Sequence, residues 1–167
     1  MSLPTFRQIS PSESDTVQRI LQDNARWMET NNIDQWTVDW IASLAPEIEA
    51  SVADGKYWCL AQSNELLGIV EITQHPEALW QFDDSPAVYL HKLAVNRQIN
   101  RKGVGSTLLR AAIEHAKQIQ VHFVRLDCVA SNTRLRTYYT NQGFTYITQR
   151  PHEHLQLALF EMAIPRL

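Results

Sequence analysis

A mixed α/β fold is what the sequence predicts, and three observations carry the prediction. About seven short runs rich in Val, Ile, Leu, Tyr and Phe alternate with about four amphipathic stretches of helical period. Two of the strand-to-helix changes are abrupt, at residues 96–104 and 130–132. The chain has 167 residues, 44% of them hydrophobic, and a chain of that size buries about 70% of its unfolded surface without metal or disulfide. One domain spanning residues 1–167 is expected.

Residues 3–9 read as a first strand, halted by Ser10-Pro11-Ser12-Glu13, which has the form of a capping box with proline at the first helical position. A helix should follow. Val17, Ile20, Leu21, Ala25 and Met28 form its apolar stripe, and Asn31 and Asn32 end it. Asp34 is placed to cap a second helical stretch carrying Trp40, Ile41 and Leu44, which Pro46 divides before Ile48 and Val52. Residues 56–62 and 65–73 read as strands of a hairpin around Ser63-Asn64.

Residues 74–86 form a polar loop with Trp80, Phe82, Asp83 and Asp84. The two aspartates keep the loop soluble or attract a cationic amine. Residues 88–95 then give a buried strand, and Val104, Leu108, Leu109, Ala112, Ile113 and Ala116 define one face of a helix. A strand at 121–129, a short helix at 132–141, a strand from Gly143-Phe144 to Thr148, a connector at 151–154 and a last strand at 155–164 complete the order.

Composition narrows the function. With 15 Lys plus Arg against 18 Asp plus Glu, the formal charge is −3, so no global cationic field recruits nucleic acid. Basic residues cluster locally instead, as Arg97, Arg101, Lys102 and Arg110, which suits a small polyanion better than a duplex. Cys59 and Cys128 lie in apolar strand-like runs without C-x-x-C spacing and read as buried free thiols. No run of about 18 apolar residues or leader-like segment is present, so a soluble, cytoplasmic, membrane-free protein is expected. His152 and His154 lack a third residue at metal spacing, and no metal is expected.

The chemistry concentrates where the buried strand meets its helix. Helix N-termini present backbone N–H groups without internal partners at the positive end of the dipole, and they bind anions. Gly103 and Gly105 let an oxyanion approach the main chain, beside the charges of Arg101 and Lys102. Neither G-x-x-x-x-G-K-[ST] nor a full G-x-G-x-x-G is present, since position 108 is Leu.

The stretch LAVNRQINRKGVGSTLL resembles the acetyl-CoA-binding motif of the GNAT superfamily of N-acetyltransferases, [Q/R]-x-x-G-x-[G/A] after a Leu-x-Val strand end. Asn100 stands where that motif has Gln or Arg, and Arg101 follows it. A second segment, RLDCVASNTRLRTYYTNQGFTYI, is similar to the family's strand, Asn-initiated helix, aromatic pair and Gly-Phe ending. The likeness covers roughly residues 56–164. It implies a mixed sheet of about seven strands with about four helices, splayed at the central strands to receive acetyl-CoA.

From the resemblance, acetyl-CoA as cosubstrate would lie along the main chain of Leu93, Ala94 and Val95, with its pyrophosphate at Asn100, Arg101, Lys102, Gly103, Val104, Gly105 and Ser106. Asn132 would contact the pantetheine arm, and Tyr139 would protonate the departing thiolate. The helices of the N-terminal third would flank the acceptor.

Acyl transfer to an amine needs a neutral nitrogen, a polarised carbonyl and a proton for sulfur. Backbone N–H groups near Leu93 suit the carbonyl, and His91 and Glu71 are the two candidates for the base. A core-packing role for Tyr139 and a satisfied strand position for His91 stand beside these readings. Two classes remain open, a catalytic N-acetyltransferase and a non-catalytic acyl-CoA-binding sensor or interaction module. The expected partner is a small-molecule or peptide amine, and a homodimer is compatible with the sequence.

Overall fold

The observed elements follow the hydrophobic periodicity closely in a computed structural model that describes residues 2–74 and 77–166. Their order is β1 (Thr5–Gln8), α1 (Ser14–Thr30), α2 (Val38–Ser43), α3 (Ala45–Ala53), β2 (Tyr57–Gln62), β3 (Glu65–Thr73) and β4 (Ala87–Val95). Then come α4 (Val104–Gln118), β5 (Phe123–Val129), α5 (Thr133–Asn141), β6 (Thr145–His152) and β7 (Leu155–Ala163). The strands form one seven-stranded mixed sheet in the order β1-β2-β3-β4-β5-β7-β6. Two compact units can be distinguished, Met1–Ile72 with Lys92–Ala111, and Thr73–His91 with Ala112–Leu167.

In the first unit, the stripe of α1 (Val17, Ile20, Leu21 and Ala25) is fully buried with Ile41, Ile48, Val52, Tyr57, Cys59 and Ile69. Each of the buried valines, leucines and isoleucines among them contributes about 1.5–3 kcal/mol of hydrophobic stabilisation. Entry into α1 runs through a 3-10 turn at Pro11–Glu13. The Glu13 carboxylate accepts from the Ser10 N–H at 2.9 Å, so this arm of the expected capping box is made. Arg7 grips the same carboxylate through both terminal nitrogens, at 2.9 and 2.8 Å.

Helix α2 is capped by Thr37, whose Oγ1 accepts from the Trp40 N–H at 3.1 Å, and not by Asp34. Glu29 takes the Val38 N–H at 2.8 Å, which fixes the helix start downstream of Asp34. Pro46 opens α3 and divides the helical stretch as expected. Ser63 and Asn64 both adopt left-handed φ, 48° and 68°, which a two-residue turn needs to match strand twist.

In the second unit, β4 pairs in parallel with β5, Ala87 to Tyr89 opposite Phe123 to Arg125, and β5 continues to Val129. β5 pairs antiparallel with β7 along its whole length. β6 is longer than the sequence suggests. Pro151 and His152, expected in a connector, pair with Gln156 and Leu155, because a proline is tolerated in an edge strand.

The stretch at 74–86, expected to be a polar loop, folds inward instead. It contains a 3-10 turn at Ala78–Trp80, and Trp80 is buried among Ala87, Tyr89, Val129, Leu157 and Leu159. His75 and Pro76 of that loop lie outside the described residues. The cause is Arg125, which is wholly buried. Its Nε donates to Glu161 Oε2 at 2.8 Å, and its Nη1 donates to the Asp83 carbonyl at 3.0 Å and to the Tyr89 hydroxyl at 3.1 Å.

Arg125 Nη2 stands 2.7 Å from Asp83 Oδ2 without hydrogen-bond alignment, so that contact is ionic. The guanidinium also lies 4.7 Å from the centre of the Trp80 ring. Asp83 therefore compensates a buried cation, which corrects its reading as a solubilising or amine-attracting residue.

Candidate active site

At the end of β4 the chain turns through residues 96–103 into α4, and several polar side chains fix that turn. The Asn96 N–H donates to the Leu67 carbonyl at 2.8 Å, and its Nδ2 donates to the Leu66 carbonyl at 2.9 Å. Arg97 lies 3.7 Å over the Trp27 ring and donates from Nε to Asn24 Oδ1 at 2.9 Å. Gly103 has a φ of 77°, a conformation that costs any other residue a backbone penalty. Its carbonyl accepts the first helical bond, from the Thr107 N–H at 3.1 Å, and also the Ser106 hydroxyl at 3.1 Å.

The N–H groups of Val104, Gly105 and Ser106 therefore form the open first turn of α4. Asn100, Arg101, Lys102 and Gly103 are exposed, Val104 is buried, and Gly105 and Ser106 are half-buried. Val95, Asn96, Ile99, Asn100 and Val104 line a cleft of about 270 Å³ together with three cationic residues, Arg97, Arg101 and Lys102. Arg101 also reaches Gln62 on β2. Apart from Gly103 itself and its two chain neighbours, no atom lies within 4 Å of the point where a Cβ on Gly103 would stand, so the main chain there is open to a bulky anion.

Along β4, each candidate side chain has a partner of its own. His91 Nε2 lies 2.9 Å from Glu77 Oε1, which also accepts from Thr73 Oγ1 at 3.3 Å. Lys92 Nζ donates to Glu71 Oε2 at 2.9 Å, with both side chains largely buried. Glu71 therefore sits inside an ion pair and is not a solvent-facing carboxylate. Leu93 is half-buried and Ala94 is buried. The Val95 carbonyl accepts from Asn24 Nδ2 at 2.8 Å, so one of its lone pairs is used within the protein.

Asn132 is the N-cap of α5, its Oδ1 accepting from the Leu135 N–H at 3.1 Å. This is the local reason the helix begins there, and it leaves the Asn132 amide nitrogen for other partners. Tyr139, on the same helix, is buried, with its ring set edge-on to Tyr138 and Phe144 and tilted against Phe160 at 5.9 Å. Burial, followed by the nearby Cys128, Asp127 and Tyr138, pushes its phenol well above the usual tyrosine range. A phenol so placed keeps its proton throughout the neutral range.

Glu77, Lys92, Asn24 and Arg125 are site or supporting residues that sequence reasoning did not single out. A charged or amide side chain within an apolar pattern marks three of them: Lys92 in HKLAV, Arg125 in VRLDCV, and Asn24 between Leu21 and Ala25. Glu77 has no such mark, because its partner His91 lies 14 residues away along the chain.

The acetyltransferase (GNAT) family profile matches residues 18–144. An uncharacterized N-acetyltransferase, YesJ of Bacillus subtilis strain 168, is 26% identical over 145 residues, covering 81% of this chain and 78% of that protein. The crystal structure of a GNAT acetyltransferase from Listeria monocytogenes superposes with a TM-score of 0.79 at 22% identity, covering 96% of this chain and 95% of that one. One from Streptococcus agalactiae gives a TM-score of 0.81 at 19% identity, covering 98% of this chain and 96% of that one. Fold and profile agree, and the chain belongs to the GNAT family of acetyltransferases.

Proposed function

We propose that this protein is an acetyl-CoA-dependent N-acetyltransferase that moves an acetyl group to a primary amine by direct attack in a ternary complex. The observation that carries the reading is the turn into α4, where Arg97, Arg101 and Lys102 line one cleft and a left-handed Gly103 follows them in the chain at an open first helical turn. These residues fit a pyrophosphate. The N–H groups of Val104, Gly105 and Ser106 would hold its oxygens, with Arg101 and Lys102 neutralising charge and Asn100 in the position the motif gives to Gln or Arg. Leu93, Ala94 and Val95 would present main-chain groups to the pantetheine arm, and the Asn132 amide nitrogen would contact it.

Chemically, the amine lone pair attacks the acetyl carbon, the carbon–sulfur bond breaks, and one proton leaves nitrogen while another reaches sulfur. The Leu93 N–H polarises the carbonyl. Tyr139 gives its proton to sulfur, a role supported by its place in the family-like segment on the helix that Asn132 caps. His91 receives the amine proton, directly or through water, with Glu77 fixing its ring. Glu71 is the less suited base because Lys92 already engages its carboxylate. The acceptor is a small-molecule or peptide amine.

A turnover screen measuring CoA thiol release from acetyl-CoA against polyamines, amino acids, aminoglycosides, arylalkylamines and peptide N-termini tests this reading. Amine-dependent release is expected. Tight acetyl-CoA binding with no release for any amine would favour a sensor module instead.

A further inference from the structure

The backbone of β4 breaks its own regularity at one residue. Lys92 has a φ of 49°, left-handed, in the interior of a nine-residue strand, where a lysine has no intrinsic reason to adopt it. Such a conformation persists only where the surroundings over-determine it. Two contacts within the same unit do so. The Lys92 ammonium is held 2.9 Å from Glu71 Oε2, with side-chain exposures of 14% and 8%. Four residues on, just past the end of β4, the Asn96 N–H is held by the Leu67 carbonyl, four residues back along β3 from Glu71.

The equal spacing makes the ion pair a cross-strand clamp in the same antiparallel alignment. Between the two clamps, Gly68 lets the Ala94 carbonyl come within 3.2 Å of where its Cβ would be, so β3 and β4 are in close contact there. A buried ion pair adds little net stability, but breaking it leaves an uncompensated charge, so it constrains geometry strongly. The constrained geometry is the orientation of the next peptide, since a left-handed φ turns the following N–H out of the regular strand alternation.

We propose that Glu71 and Lys92 form a positioning latch that holds β4 in its left-handed break and so aims the Leu93 N–H at the acetyl carbonyl oxygen. The inference rests on the acetyltransferase reading, and it assigns both residues to geometry instead of proton transfer.

The test compares Lys92→Arg and two neutral double variants, Glu71→Gln with Lys92→Met and Glu71→Gln with Lys92→Gly. Methionine removes the latch, whereas glycine also removes it but adopts a positive φ unaided. Using an amine whose chemical step limits the rate, the Gln/Met variant should lose about 10- to 100-fold in kcat with KM for acetyl-CoA within about threefold. The Gln/Gly variant should be at least about fivefold faster than Gln/Met, and Lys92→Arg should stay well above both. Wild-type kcat in a folded Gln/Met variant would overturn the proposal, as would equal slowness of Gln/Gly and Gln/Met, or a Lys92→Arg variant as slow as they are.

Carbon-13 shifts at position 92 give a readout independent of turnover. They should be left-handed in wild type and extended in Gln/Met. Left-handed shifts that survive in Gln/Met overturn the latch, even if wild type acetylates no amine and the acetyltransferase reading itself falls. If Gln/Met does not fold, Gln/Gly and Lys92→Arg decide: similar rates in the two support the latch, and a Gln/Gly variant slower than Lys92→Arg by more than about 100-fold overturns it.

Discussion

Asn24 of α1 donates hydrogen bonds of 2.8 Å to its own helix, at the Ile20 carbonyl, and to the Val95 carbonyl at the end of β4, while accepting from Arg97 Nε. One buried amide thus joins the helix to both the strand and the turn that follows it.

Replacing Asn24 by Leu keeps the number and branching of side-chain heavy atoms but leaves the Val95 carbonyl without this donor and releases Arg97. The expected loss is about 1–3 kcal/mol of stability, together with weaker acetyl-CoA binding as the cleft loses its fixed wall. Chemical denaturation and calorimetry on the same preparation check both. Unchanged stability would mean that solvent replaces the amide at no cost.

Gly103 and Gly105 should fail in different ways. Gly103→Ala meets no steric obstacle, so its cost is the backbone penalty of about 1–2 kcal/mol for a side chain at positive φ. Gly105→Asp instead places negative charge at the helix start and should weaken CoA binding by at least about tenfold with little change in melting temperature. Calorimetric titration with CoA distinguishes the two, and equal affinity in the folded Gly105→Asp variant would remove the anion site from this turn.

Tyr139→Phe keeps the ring contacts to Phe144 and Phe160 and deletes only the proton. The expected result is a kcat lower by about 10- to 1,000-fold with acetyl-CoA affinity nearly intact. Steady-state kinetics with equilibrium binding measures both. A loss of binding in place of kcat would reassign Tyr139 to packing.

Below neutral pH, stability should report on Glu13. The Arg7 guanidinium, followed by Ser10, lowers its carboxyl to about 2 against desolvation. A depressed carboxyl contributes stability that is fully present above the unfolded value, about 4, and is lost as pH falls toward about 2. Arg7 is partly exposed, so screening reduces the contribution to about 1 kcal/mol. Glu13→Gln should lower the melting temperature at pH 6 and leave it nearly equal to wild type at pH 2. An equal gap at both pH values would refute the linkage.

Arg125→Met should be the most damaging of these changes, at about 3–5 kcal/mol, because it leaves Asp83 and Glu161 facing a site without their cation. Urea denaturation measures it. Adding Asp83→Asn and Glu161→Gln in the same chain should restore part of the loss, and no restoration would show that ring packing around the guanidinium dominates.

Strands and helices were legible because apolar period and turn chemistry act locally. Val17, Ile20, Leu21 and Ala25 announce the buried face of α1, and Ser63-Asn64 announces its hairpin. What was not legible depends on partners distant in sequence. Asp83 reads as solvated until Arg125, 42 residues on, meets its carbonyl. Thr37 displaces Asp34 as a cap because Glu29 claims the Val38 N–H first. The glycine turn could be named from spacing and Asn132 from the family resemblance, whereas the partners of His91 and Glu71 arise only when strands and loops are brought side by side.

The two cysteines have a use unrelated to acetyl transfer. Cys59 lies in the first unit and Cys128 in the second; both are buried and free, and burial pushes their thiols up to about 11 and about 12. In the closed molecule neither presents a thiolate to an alkylating reagent. Each can therefore be labelled only while its surroundings transiently open, so alkylation rates read out peptide by peptide give every unit its own clock for local unfolding.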